Sequence, residues 1–121
     1  MASSSRIIRL TFLGGALGTA ARFTLSLTLG DVLSIILVNL LGAALLGWFN
    51  GNPKNDTDDF NTFWKVGFTG GFTTMSAFAS FSVLYMQVLG IWAALATVAI
   101  SALGLGAYAL AFNFSKKKAR A

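Results

Sequence analysis

The feature that most constrains this chain is the confinement of its charges. Arg6 and Arg9 stand near the start, Lys54 to Lys65 and three aspartates in the middle, and Lys116 to Arg120 at the end. Only Arg22 and Asp31 fall elsewhere. The stretches between are apolar and long enough to cross a bilayer, which takes about 20 residues of helix. Charged residues make up 11% of the 121, against about 25% in a soluble domain. The pattern reads as an integral membrane protein. A net charge of +5 does not point to nucleic acid, because the basic residues flank spans rather than build a face.

Four spans are expected in one transmembrane domain, over residues 7–29, 32–49, 63–89 and 91–114. The start, MASSSRIIRL, lacks a small-residue cleavage site and reads as the beginning of a retained first span. Residues 50–62, NGNPKNDTDDFNT, form the one substantial loop, rich in turn formers. The turns at Gly30-Asp31 and Gly90 are so tight that consecutive spans must be antiparallel neighbours. The fold class is therefore all-α, a small membrane bundle. Small residues at spacing four (Gly14 and Gly18, Ala16 and Ala20, Ala102 and Gly106) suit close helix approach. Four helices enclose little interior, which predicts a dimer.

The third span carries the chemistry. As a straight helix, 63–89 would reach about 40 Å across a core of about 30 Å. Within it the stretch GFTGGFTTMSAFASFS holds three glycines, three threonines, three serines and no charge. Glycine and threonine are poor helix formers, so a break is expected near Gly70 to Thr74. Broken helices at membrane depth persist where the freed backbone meets protein, a cavity or an ion. Beyond the break, Thr73, Ser76 and Ser80 fall on one helical face, beside Met75 and Phe78 and continued by Ser82. An aromatic stripe at this spacing serves packing, or turns positive ring edges toward an anion. Asn39, isolated in LVNLLG, either bonds a neighbouring helix or donates its amide to a desolvated anion. Arg22 is either an interfacial anchor or a vestibule cation that concentrates anions.

What is missing narrows the function. With no histidine, no cysteine and no acidic residue inside a span, enzymatic chemistry has no support and thiolate metal sites are excluded. Cation or proton-coupled transport normally uses an intramembrane carboxylate, so an anion pathway fits better. A small multidrug antiporter shares the size but needs a glutamate in the first span. A non-conducting regulatory or assembly subunit is the other alternative.

GGALGTAARF in the first span, LVNLLG in the second and GFTGGFTTMSAF in the third resemble the Fluc (CrcB-type) family of fluoride channels, across nearly the whole chain. The resemblance implies passive, fluoride-selective export by an antiparallel dimer with two pores and one structural, untransported sodium ion. It places backbone carbonyls of Gly70 and Thr73 on that sodium, Asn39, Met75, Phe78, Ser76, Ser80 and Ser101 along the fluoride path, and Arg22 in the vestibule. Met75 departs from the family's paired phenylalanines. The fourth-span polar track also thins after Ser101, to Leu105 and Ala109. The Lys/Arg excess lies with the termini and the long loop, predicting cytoplasmic termini in the cell membrane. So lopsided a bias disfavours insertion both ways, and an antiparallel heterodimer with a related, charge-inverted chain is expected.

Overall fold

The computed structural model describes residues 3–120, and every regular element among them is helical. Helix α1 spans Ser4–Leu29 and α2 Asp31–Gly51. After a 3-10 turn at Pro53–Asn55, α3 covers 58–72 as three unbroken pieces, Asp58–Phe60, a π-helical Asn61–Phe68 and Thr69–Phe72. Helix α4 is Met75–Leu89 and α5 is Ile91–Arg120.

Capping moves several ends away from those the hydropathy pattern suggests. Ser3 starts α1 by accepting from the Arg6 amide at 3.3 Å. Thr57 caps α3 by accepting from the Phe60 amide at 3.2 Å, so that helix begins at Asp58, inside the expected loop. Asp58 and Asp59 in its first turn suit the positive end of the helix dipole. At the other end, α5 runs past Phe114 to Arg120. Lys117, Lys118 and Arg120 suit its negative end, and buried Ser115 donates to the Trp48 carbonyl at 2.7 Å. Gly30 (φ 83°) and Gly90 (φ 62°) make the tight reversals, in a left-handed conformation that favours glycine.

Three segments are long and apolar enough to cross a membrane: α2, the composite 58–89, and α5. Helix α1 matches them in length but is less apolar, because Arg22 and a run of threonines and serines interrupt it. The helices pack as two tight pairs, α1 with α3 and α2 with α5. In the first pair the backbones nearly touch. A Cβ at Gly14 would lie 2.2 Å from the Phe63 carbonyl oxygen, at Gly18 2.2 Å from that of Phe68, and at Gly71 2.4 Å from that of Gly15. The expected small-residue packing therefore holds at Gly14 and Gly18, whereas Ala16, Ala20, Ala102 and Gly106 are exposed. Buried hydrophobic side chains are few, Val38, Phe72 and Ala93, while large apolar residues cover the exterior. That inversion suits lipid or a partner chain as surroundings rather than water.

The charges gather at one end of the bundle. Arg6 at the start of α1 pairs with Asp59 at the start of α3. The end of α5 lies against the end of α2 through the Ser115–Trp48 bond. Gly30 and Gly90 turn the chain at the opposite end.

Candidate functional site

The long third segment breaks at Thr73 and Thr74, both in extended conformation (ψ 159° and 102°). The glycines ahead of them stay helical. This is a shift within the expected window, with a physical reason: Gly71 is needed for contact with α1, whereas the threonines supply caps. Thr73 closes α3, its amide and hydroxyl both donating to the Thr69 carbonyl at 3.0 and 2.8 Å. Thr74 opens α4, its hydroxyl accepting from the Ala77 amide at 3.3 Å. Thr73 thus stands before α4 and does not share a helical face with Ser76 and Ser80.

Asn39 clasps the break from α2. Its Nδ2 donates to the Thr74 carbonyl at 3.2 Å, and its Oδ1 accepts from the Thr74 amide at 2.8 Å. This double bond replaces the helical ladder where the ladder stops. It also redirects donors that two carbonyls would otherwise receive. The Thr74 amide, normally bound for Gly70, goes to Asn39, and the Ala77 amide, normally bound for Thr73, goes to Thr74. No hydrogen-bond donor reaches the Gly70 or Thr73 carbonyl among the described residues. The space around Gly70 is open. Two unsatisfied carbonyls at a helix break are donors of the hard, neutral kind that suit a sodium ion, so the residues fit that ion.

Beside the break lies a cavity of about 550 Å³ between α2, the Thr73-Thr74 corner and α5. Asn39, Thr73, Met75, Phe78, Ser101 and Tyr108 line it, with apolar side chains between them. Among the described residues, none that is acidic or basic borders it. A narrower cavity of about 180 Å³ continues toward the Gly30 and Gly90 end, sharing Phe78 and Ile100 with the first and bordered by Ser82, Tyr85 and Thr97. At the charged end a third, of about 620 Å³, shares Tyr108, whose hydroxyl accepts from Asn50 Nδ2 at 3.0 Å. The three follow one groove along α2 and α5.

Of the residues singled out in the sequence, Asn39, Met75, Phe78 and Ser101 meet in the central cavity. Ser76 and Ser80 do not line it and lie exposed on α4. Arg22 is half-buried on α1, borders none of the three cavities, and its Nε is buried without a partner. Met75 is 73% exposed. Thr97 was not among the expected residues, yet it sits one turn before Ser101, whose hydroxyl donates to the Thr97 carbonyl at 2.9 Å. The spacing of four was legible, backwards from Ser101 rather than forwards. Chemically, the groove sets an amide, hydroxyls and aromatic rings in an apolar wall, groups of the kind that suit a small dehydrated anion.

A family model described as CrcB-like protein, Camphor Resistance (CrcB), matches residues 9–113. The fluoride-specific ion channel FluC 2 of Synechococcus sp. (strain CC9605) is 39% identical over 106 residues, 86% of this chain and 76% of that one. FluC of Enterobacter sp. (strain 638) is 35% identical over 121 residues, covering 88% and 91%. FluC 1 of Corynebacterium glutamicum reaches 46% over 65 residues, 53% of this chain and 58% of its own length. Against that relative and FluC 1 of Corynebacterium diphtheriae the match spans only 58% and 61% of their lengths. No solved structure gives a significant match.

Proposed function

Since the chain belongs to the CrcB-like family, we propose that it forms a fluoride-selective channel through which the ion leaves the cytoplasm passively. The observation that carries this reading is the central cavity, where Asn39, Phe78 and Ser101 converge with no charged side chain. A carboxylate there would repel an anion, and a fixed cation would trap it. Neutral donors and ring edges replace water in part and still let the ion go. The hydroxyls of Thr97 and Ser101 donate to their own helix at rest, and a rotation about χ1 turns each toward a passing ion. Arg22 raises the anion concentration at the membrane surface.

In this reading all four long helices cross the membrane, α1 included, and two chains assemble antiparallel. Helix α1 is shielded there by the partner, which offsets its lower hydropathy. The Gly70 and Thr73 carbonyls would hold the structural sodium ion, whose positive charge would brace the helix break without entering the fluoride path. The termini lie in the cytoplasm, following the basic end.

Fluoride efflux from liposomes containing only this protein, followed with a fluoride electrode beside a chloride control, tests the proposal. Rapid efflux of fluoride with retention of chloride is expected of the channel. Equal release of both ions would refute selectivity.

A second reading is favoured by Met75 and by the one-sided charge: a heterodimer with a related chain of inverted bias, in which this chain contributes half of the path or none. The relatives' names, FluC 1 and FluC 2, leave room for such a pair. Efflux that needs both chains in one vesicle would establish it.

A further inference from the structure

The third cavity, at the charged end, has a composition unlike the other two. On α5, Tyr108, Phe112, Lys116 and Arg120 follow one another at spacing four and so share one helical face, and all four line it. That face passes from aromatic to cationic as the helix leaves its apolar stretch. Lys65 joins from α3, and Asp56 is the one acidic residue at the rim. Three cations against one carboxylate leave a surplus of two positive charges. Among the described residues the one ion pair is Arg6–Asp59, so none of the three cations is neutralised by a carboxylate within 4.0 Å. Asp56 instead accepts from Asn61 Nδ2 at 3.1 Å.

From this arrangement we propose a binding site for an anionic phospholipid, its phosphate held by Lys65, Lys116 and Arg120 and its upper acyl region lying along Tyr108 and Phe112. A guanidinium suits a phosphate through two parallel bonds, while the lysines act as flexible point charges. Basic pockets between membrane helices at the cytoplasmic face take lipid head groups for this reason. The volume of about 620 Å³ accommodates a phosphodiester with a small polar alcohol. A soluble phosphate shares the chemistry but would leave the aromatic wall unused. The lipid therefore accounts for both halves of the stripe. Binding would brace the ends of α2, α3 and α5 together where Asn50 to Pro53 link them. The site rests on the membrane-spanning reading, not on fluoride conduction.

The test is thermal unfolding of the purified full chain in detergent, titrated with phosphatidylglycerol, phosphatidylcholine or inorganic phosphate. Phosphatidylglycerol is expected to raise the melting temperature saturably and phosphatidylcholine to leave it unchanged. Each basic residue near an anionic lipid contributes about fivefold in affinity. The triple variant Lys65→Gln, Lys116→Gln, Arg120→Gln should therefore bind about a hundredfold more weakly. A charge-matched control, Arg9→Gln, Lys54→Gln, Lys117→Gln, should bind as the parent does. Asp56→Asn, which removes the opposing charge, should bind several-fold more tightly, and it keeps the test decisive if the triple variant does not fold. Equal shifts with the two lipids, or equal loss in the control, would overturn the site. So would reproduction of the shift by inorganic phosphate at matched concentration. A protein that selects phosphatidylglycerol this way yet passes no fluoride, alone or co-reconstituted with a related chain, refutes the channel and leaves the lipid site standing.

Discussion

Asn39 holds the break by both ends of its amide, so the kind of substitution decides what fails. In Asn39→Ala the Thr74 amide loses its partner in a half-buried site, while the Thr74 carbonyl keeps the Phe78 amide at 3.3 Å. Leaving such an amide unsatisfied costs about 1–3 kcal/mol. The variant should unfold at lower denaturant and conduct poorly. Asn39→Asp keeps an acceptor for the Thr74 amide but sets a carboxylate against the Thr74 carbonyl and into the cavity. It should fold better than the alanine variant yet pass less fluoride, because a fixed negative charge repels the ion. Denaturation curves beside electrode recordings separate the two effects, and equal flux in parent and aspartate variant would remove Asn39 from the path. At Met75 the thioether is polarizable but has no positive ring edge. In whichever vesicles conduct, those of this chain alone or those co-reconstituted with a partner, Met75→Phe should raise fluoride efflux several-fold without changing chloride retention. An unchanged rate would mean that this position does not meet the ion.

Between elements, the α1–α3 contact leaves no room for an added methyl group, as the α2–α5 contact leaves none at Gly47 and Gly51. A methyl group at Gly18 or Gly71 would meet backbone oxygen at 2.2 or 2.4 Å, and backbone cannot step aside as a flexible side chain does. Gly18→Ala and Gly71→Ala should each destabilise by about 1–3 kcal/mol through overpacking. Gly106→Ala, with open space around it, should be neutral or gain up to about 1 kcal/mol from helix propensity. Chemical denaturation in detergent measures all three. A neutral Gly71→Ala would show the helices to be farther apart. These contacts also indicate how far sequence reasoning reaches. Spacing four picked out Gly14 and Gly18, since small-residue periodicity is local, but it could not separate them from Ala16 or Ala102, whose exposure depends on which face a neighbour takes. It also passed over the buried stripe Ser34, Val38, Gly42, Gly47 and Gly51 on α2, whose spacing slips from four to five. The break was legible from composition, but its place was set by a residue 35 positions away, the Asn39 clasp on Thr74. Thr73, Ser76 and Ser80 shared a plausible face in the sequence, yet the break removes Thr73 from it and its direction comes only from packing against α2 and α5.

For the whole molecule, the decisive property is that its basic residues collect at one end. Arg6, Lys54, Lys65 and the Lys116 to Arg120 cluster surround the same end, while the Gly30-Asp31 and Gly90 turns bear no lysine or arginine. Lysine and arginine near span ends hold the cytoplasmic side, so every copy should insert the same way. An antiparallel dimer needs copies that insert oppositely. Both conditions cannot hold for one sequence alone, which turns orientation into a test of assembly. The chain has no cysteine, so single cysteines report cleanly. Ser5→Cys marks the basic end and Leu89→Cys the opposite turn. In intact cells a membrane-impermeant maleimide should label the Leu89 site and spare the Ser5 site until the membrane is opened. That outcome selects the second reading over the first: a partner of inverted bias completes the antiparallel pair, and fluoride efflux appears only on co-reconstitution. Comparable labelling of both sites in intact cells would overturn the fixed orientation. The same sequence would then supply both halves of the dimer, and Met75 would stand in both pores.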